Sequence, residues 1–189
     1  MAAGFEVILM ESEDFKLPIG SMATEFDLPG VDGKRYMLRY FHNRDFIVII
    51  FTCNHCPYAQ AYENRLIRLA KEFSAKAQFI AISSNDAEKY PQDSFESMKI
   101  RAMEKGFPYL YLYDESQDTA RAYGAQVTPH IFVFDRSGKL AYQGGVDDNW
   151  ENEKAVSKQY LRDALSELAA GRPVTRKTAP VVGCSIKWK

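Results

Sequence analysis

The chain has 189 residues, enough for one domain able to bury roughly 70% of its unfolded surface. With 24 basic against 25 acidic residues the formal charge is −1, and no block of like charge occurs, which removes the electrostatic footprint of a nucleic-acid or anionic-membrane binder. Hydrophobic residues make up 46%, yet the apolar run Phe46–Phe51 falls far short of the roughly 20 residues that a membrane-spanning helix requires.

The start, Met1-Ala2-Ala3-Gly4-Phe5-Glu6-Val7, lacks the basic beginning and apolar middle of a secretory signal, so a cytoplasmic location is expected. The first quarter reads as short strands and turns: Leu17-Pro18-Ile19-Gly20, then Glu25 to Gly30. Asp32-Gly33 before Arg35-Tyr36-Met37-Leu38 signals a hairpin. Phe46 to Phe51 is apolar at consecutive positions, as in a strand covered on both faces. From Pro57 to about Phe73, Ala59, Tyr62, Leu66, Leu69, Ala70 and Phe73 fall at helical spacing and define one buried face.

Gln78–Ile82 is the next strand, followed by the polar loop Ser83–Asp86 and a helix over 93–105 that Gly106 ends. Leu110–Tyr113 reads as a short strand and Ser116–Tyr123 as a short helix before Gly124. Ile131–Phe134 and Leu140–Gln143 flank Asp135-Arg136-Ser137-Gly138 as an antiparallel hairpin. A last helix is expected from near Ala155 to Ala170, stopped by Gly171 and Pro173, and beyond it the tail shows no periodicity. Early alternation of strand and helix with a late hairpin predicts an α/β fold: a mixed sheet between helices around a parallel βαβ core. Residues 1–173 would form the domain, with 174–189 a tail docked on it through Val181, Val182, Ile186 and Trp188.

Cys53-Asn54-His55-Cys56 stands at the junction of the apolar strand and the first long helix. Two thiols three positions apart meet across one turn, and a helix N-terminus beside them favours the thiolate. The same spacing suits a zinc or iron–sulfur ligand pair, so context must decide. Three cysteines do not make a disulfide framework, and a working dithiol in a reducing compartment fits the count.

On these positions the chain resembles the thioredoxin-like superfamily, in particular its redoxin branch with an extra N-terminal hairpin. The resemblance rests on Gly20-Ser21-Met22-Ala23-Thr24-Glu25-Phe26, on Asp32-Gly33-Lys34, on Cys53-Asn54-His55-Cys56 and on Val127-Thr128-Pro129. The ending Val182–Lys189 is similar to that of an uncharacterised subgroup. It implies a three-layer α/β/α sandwich and a thiol–disulfide oxidoreductase needing no cofactor and no resident metal. Cys53, nearer the strand end and more exposed, would be the thiolate that attacks, and Cys56 would resolve the mixed disulfide. His55 would favour the Cys53 thiolate and raise the potential, with Asn54 as a supporting residue of the motif. The resemblance also implies a cis bond before Pro129, which would present the Thr128 backbone to a substrate strand.

His130 is expected at a strand end facing solvent. Ile47 stands where thioredoxins carry a buried acid, and Thr52 replaces their tryptophan, so Asn85, Asp86 or Glu63 become candidates for proton transfer. A thiol peroxidase is the alternative enzyme. Its expected upstream proline and threonine or serine are missing, because Phe46 and Ile50 precede Cys53 at those positions and Ile49 and Cys53 precede Cys56. A copper or zinc binder built on Cys53, Cys56 and either His130 or Cys184 ranks lower, because copper-delivery relatives space their cysteines more widely. Expected partners are protein or small-molecule thiols and disulfides with an electron donor, for a monomer or homodimer. Cys184 is read as part of a structural tail, with a third redox partner as the other possibility.

Overall fold

Alternation inside the apolar run after Asp45 sets the architecture. Phe46, Val48 and Ile50 face one hydrophobic cluster, while Ile47, Ile49 and Phe51 face another. A strand buried on both sides needs cover on both sides, and a layered α/β protein provides it. The computed structural model describes residues 6–189. Residues 1–5 of the segment read for a leader therefore lie outside the described residues.

The strands and α-helices, in chain order, are β1 (Val7–Met10), β2 (Asp27–Pro29), β3 (Arg35–Met37), β4 (Phe46–Thr52), α1 (Pro57–Glu72), β5 (Ala77–Ser83), α2 (Phe95–Lys105), β6 (Leu110–Tyr113), α3 (Asp118–Tyr123), β7 (Val127–Thr128), β8 (His130–Phe134), β9 (Leu140–Gly144), α4 (Tyr160–Ala169) and β10 (Val181–Ser185). A five-stranded sheet runs β6-β5-β4-β8-β9. Its β4-β5-β6 part is parallel, and β8 and β9 are antiparallel additions. Tyr62, Leu66 and Leu69 of α1 and Leu161 and Leu165 of α4 pack on one face. Ala120 and Tyr123 of α3, with Leu28 of the β2–β3 hairpin, close the other. This is the mixed sheet between helices, with its N-terminal hairpin, that the pattern predicts. No described helix is long and apolar enough to cross a membrane.

Three expectations need correction. The tail is not without regular structure: β10 lies between β1 and β7 in a separate three-stranded sheet. A five-residue strand holding glycine and two small polar residues carries too weak an alternation to be read. Helix α4 begins at Tyr160 rather than near Ala155. A short 3-10 turn, Glu153–Ala155, capped by the Asn152 side chain, takes the earlier positions and leads into extended backbone at Val156. Helix α2 begins two residues late because the Ser94 side chain accepts from the Ser97 N–H and so fixes the N-cap.

Candidate functional site

Strand β4 carries the chain to Thr52, and Pro57 opens α1, so residues 53–56 must turn between them. Proline suits the first helical turn, where its missing N–H has no partner to lose. Cys56 is the N-cap, with φ −71° and ψ 120°. The turn is held from within by Asp93, which is fully buried. One Asp93 oxygen accepts the backbone N–H of Asn54 at 2.8 Å and of His55 at 3.2 Å. The other accepts from Asn85 Nδ2 at 2.8 Å and meets His55 Nδ1 in a short contact. Asn54 donates to the Gln92 carbonyl at 2.8 Å and accepts from the Tyr111 hydroxyl at 2.9 Å. The His55 ring stacks on Tyr90, centroids 5.3 Å apart.

All three cysteines are free thiols, and they form one buried cluster with Ala59. Cys56 Sγ lies 2.8 Å from Cys184 Sγ and 3.2 Å from the Thr128 carbonyl oxygen. Cys53 Sγ lies 3.4 Å from Thr128 Oγ1. The Thr128–Pro129 peptide bond is cis.

Hydrogen bonds from Cys184 and Cys53, helped by the Ala59 N–H of the first helical turn, pull the Cys56 thiol down to about 2. Burial pushes the Cys53 thiol well up, and its hydrogen bond to Cys56 and the Asp93 charge push the same way. The hydrogen bond to Cys56, then burial, raise Cys184. These directions favour a thiolate on Cys56 over one on Cys53 or Cys184. Both sulfurs of the pair are buried, Cys53 at 3% exposure and Cys56 at 0%, so burial opposes an anion on either, and only the donors around Cys56 offset it.

Other expected participants lie elsewhere. His130 is fully buried, not solvent-facing, with its ring against Phe132 at 4.4 Å and Phe15 at 5.2 Å. Burial lowers it to about 3, so the ring is neutral. Glu63 shares a small cavity with Cys53, but its carboxylate is bound by Arg101 at 2.5 Å and Lys105 at 3.3 Å. Asp86 pairs with Lys89. Asn85 is a bracket: besides holding Asp93, it accepts the Lys187 N–H at 2.9 Å. Cys53, His55 and Asp93 bring one sulfur, one nitrogen and one oxygen within 4.8 Å of each other, but both Asp93 oxygens are already engaged in shaping the turn.

Asp93 is the residue that sequence reasoning missed. Its only local signal, the Pro91-Gln92-Asp93-Ser94 stretch, reads as a helix start. Nothing in that spacing connects it to a turn 38 residues earlier.

A family model described as Redoxin matches residues 18–161. No curated protein matches the chain. An uncharacterized conserved protein from Geobacillus kaustophilus is 42% identical over 98% of each chain, with a TM-score of 0.90. A hypothetical protein from Sinorhizobium meliloti is 32% identical over 92% of this chain and 96% of its own, with a TM-score of 0.87. Peroxidoxin BcpB from Mycobacterium tuberculosis is 21% identical over 83% of this chain and 99% of its own, at a TM-score of 0.63, a likeness of fold alone. The matched region spans all three parallel strands β4, β5 and β6, the paired cysteines and the proline loop, and the chain belongs to the redoxin family, with its thioredoxin-like fold.

Proposed function

We propose that the protein is a thiol–disulfide oxidoreductase that cycles Cys53 and Cys56 between dithiol and disulfide. Membership in the redoxin family supports a thiol-based redox role. The observation that carries the finer reading is the placement of Cys56 at the N-cap of α1, in one buried sulfur cluster with Cys53, where the helix end favours a thiolate.

In the reductive direction, Cys53 attacks one sulfur of a substrate disulfide, and its proton is taken up by the leaving substrate thiolate. The substrate S–S bond breaks, one substrate sulfur leaves as a thiolate, and Cys53 is joined to the other. Cys56 then attacks Cys53 as a thiolate, releasing the second substrate sulfur, which takes its proton from water. The substrate gains two electrons and becomes two thiols, and the Cys53–Cys56 disulfide waits for a thiol donor. Asn54 and His55 act as positioning residues through Asp93, while Thr128 and Pro129 wall the sulfurs. Substrates would be protein or low-molecular-weight disulfides, in a cytoplasm whose glutathione and thioredoxin systems restore the dithiol.

Insulin reduction with dithiothreitol as donor tests this. The wild type should accelerate it, and Cys53→Ser and Cys56→Ser should each fall to the uncatalysed rate. Equal behaviour of wild type and Cys53→Ser under several reductants would sink the reading. Hydrogen peroxide consumption by the reduced protein should be no faster than by free cysteine, because the upstream proline and threonine or serine expected of a thiol peroxidase are replaced by Phe46 and Ile50.

A further inference from the structure

We propose that Cys184 is a third redox-active thiol, exchanging with the Cys53–Cys56 disulfide to form a Cys56–Cys184 disulfide. The inference rests on the dithiol reading above and adds an internal partner for it. Cys184 comes from the far end of the chain, 128 positions from Cys56, yet their sulfurs are 2.8 Å apart. A disulfide needs them at about 2.0 Å, so closure requires only a small side-chain movement.

The approach is built into the backbone. Strand β10 pairs with β7 so that Cys184 stands directly opposite Thr128, the residue whose carbonyl and hydroxyl already touch Cys56 and Cys53. The β7 edge at the proline loop, where an incoming strand would otherwise pair, is thus taken by the chain's own tail. Gly183 permits this closeness, since a Cβ there would lie 2.3 Å from the Thr128 carbonyl oxygen.

Beyond Cys184 the tail is fastened. The Ile186 N–H donates to the Gln126 carbonyl at 2.8 Å, and the Asp86 N–H donates to the Lys187 carbonyl at 2.7 Å. Gln117 donates to the same Lys187 carbonyl and accepts from the Lys189 N–H. Arg121 lies over the Trp188 ring at 4.5 Å. The third thiol is therefore held in place before any reaction, so little ordering remains to oppose exchange.

The exchange balances without an outside oxidant. The Cys184 thiol gives up its proton and attacks Cys56 Sγ, and the Cys53–Cys56 bond breaks. The electron pair leaves on Cys53, which takes the proton. One disulfide is replaced by another, and the sulfur nearest the strand end is returned as a free thiol.

The full chain is the right material for the test, as wild type, Cys53→Ala and Cys184→Ala. Each is oxidised with diamide, quenched in acid, alkylated and mapped by mass spectrometry, with circular dichroism to verify folding. Cys53→Ala should close an intramolecular Cys56–Cys184 bond, and the wild type should hold a mixture of both disulfides. If Cys53→Ala keeps two free thiols while Cys184→Ala still closes Cys53–Cys56, the third-thiol proposal is overturned and the dithiol reading stands. Closure in neither variant overturns both. Closure only in Cys53→Ala would keep Cys56–Cys184 as the redox pair and remove Cys53–Cys56. Should Cys184→Ala not fold, Cys184→Ser takes its place in the same comparison.

Discussion

Three sulfurs share one buried cluster, but only Cys56 has the helix N-terminus and two thiol donors directed at it. Titrating the reduced protein down to about pH 5 should leave one thiolate's ultraviolet absorbance intact, because donors and the helix end hold that proton off. Cys184→Ala removes the largest of those donors, so the absorbance should then be lost at a higher pH. Asp93 governs the same turn through its buried carboxylate, which accepts two backbone N–H groups and the Asn85 amide and meets His55 Nδ1. Asp93→Ala would strand two backbone N–H groups and the Asn85 amide in a dry interior. It should lower stability by about 3–5 kcal/mol in urea unfolding, the range for breaking a buried charged network. A loss under about 1 kcal/mol would mean that other groups hold the turn.

Elements differed in how openly the chain declared them. Strand β4 and helix α1 were legible because each satisfies a strong pattern over seven or more residues, one doubly buried and one at helical spacing. The hairpin turn at Asp135–Gly138 was legible because Gly138 takes a positive φ of 77° and Asp135 caps the loop through the N–H groups of Ser137 and Lys139. Strands β1 and β10 were not, being short and stabilised by each other rather than by local propensity. Gly183→Ala tests how firmly β10 is seated. The added methyl must move Thr128 or the strand, at a cost of about 1–3 kcal/mol for overpacking. Hydrogen exchange at the 181–185 amides should speed up, while that of β4 should not.

Stability against pH reflects the fold as a unit, because it compares buried groups with their exposed counterparts in the unfolded chain. His130 is lowered from 6.5 to about 3 by burial. The unfolded chain therefore binds that proton first, and the stability it secures above 6.5 is lost as pH falls toward about 3. The Cys56 contribution has the same sign and disappears only as pH falls through about 2. Cys53, Tyr111 and Tyr142 are raised by burial, so their contribution is present below their unfolded values and is lost as pH climbs past them. Melting temperature should peak near neutrality and fall on both sides. Neither ring nitrogen of His130 has a hydrogen-bond partner among the described residues. His130→Leu should therefore flatten the acid limb, and an unchanged limb would assign acid sensitivity to other groups.

The amino-acid order by itself determined the sheet, its helical cover, the hairpins and the cysteine pair at a strand-to-helix corner, because apolar periodicity and turn chemistry act over a few neighbouring positions. Tertiary structure alone decided which groups surround each sulfur, that Asp93 rather than a flanking residue braces the turn, that His130 is enclosed, and that Cys184 reaches the site. Each of those depends on what lies across space from a residue. Pairing between strands more than fifty positions apart, as in β7 with β10, leaves no trace in local spacing.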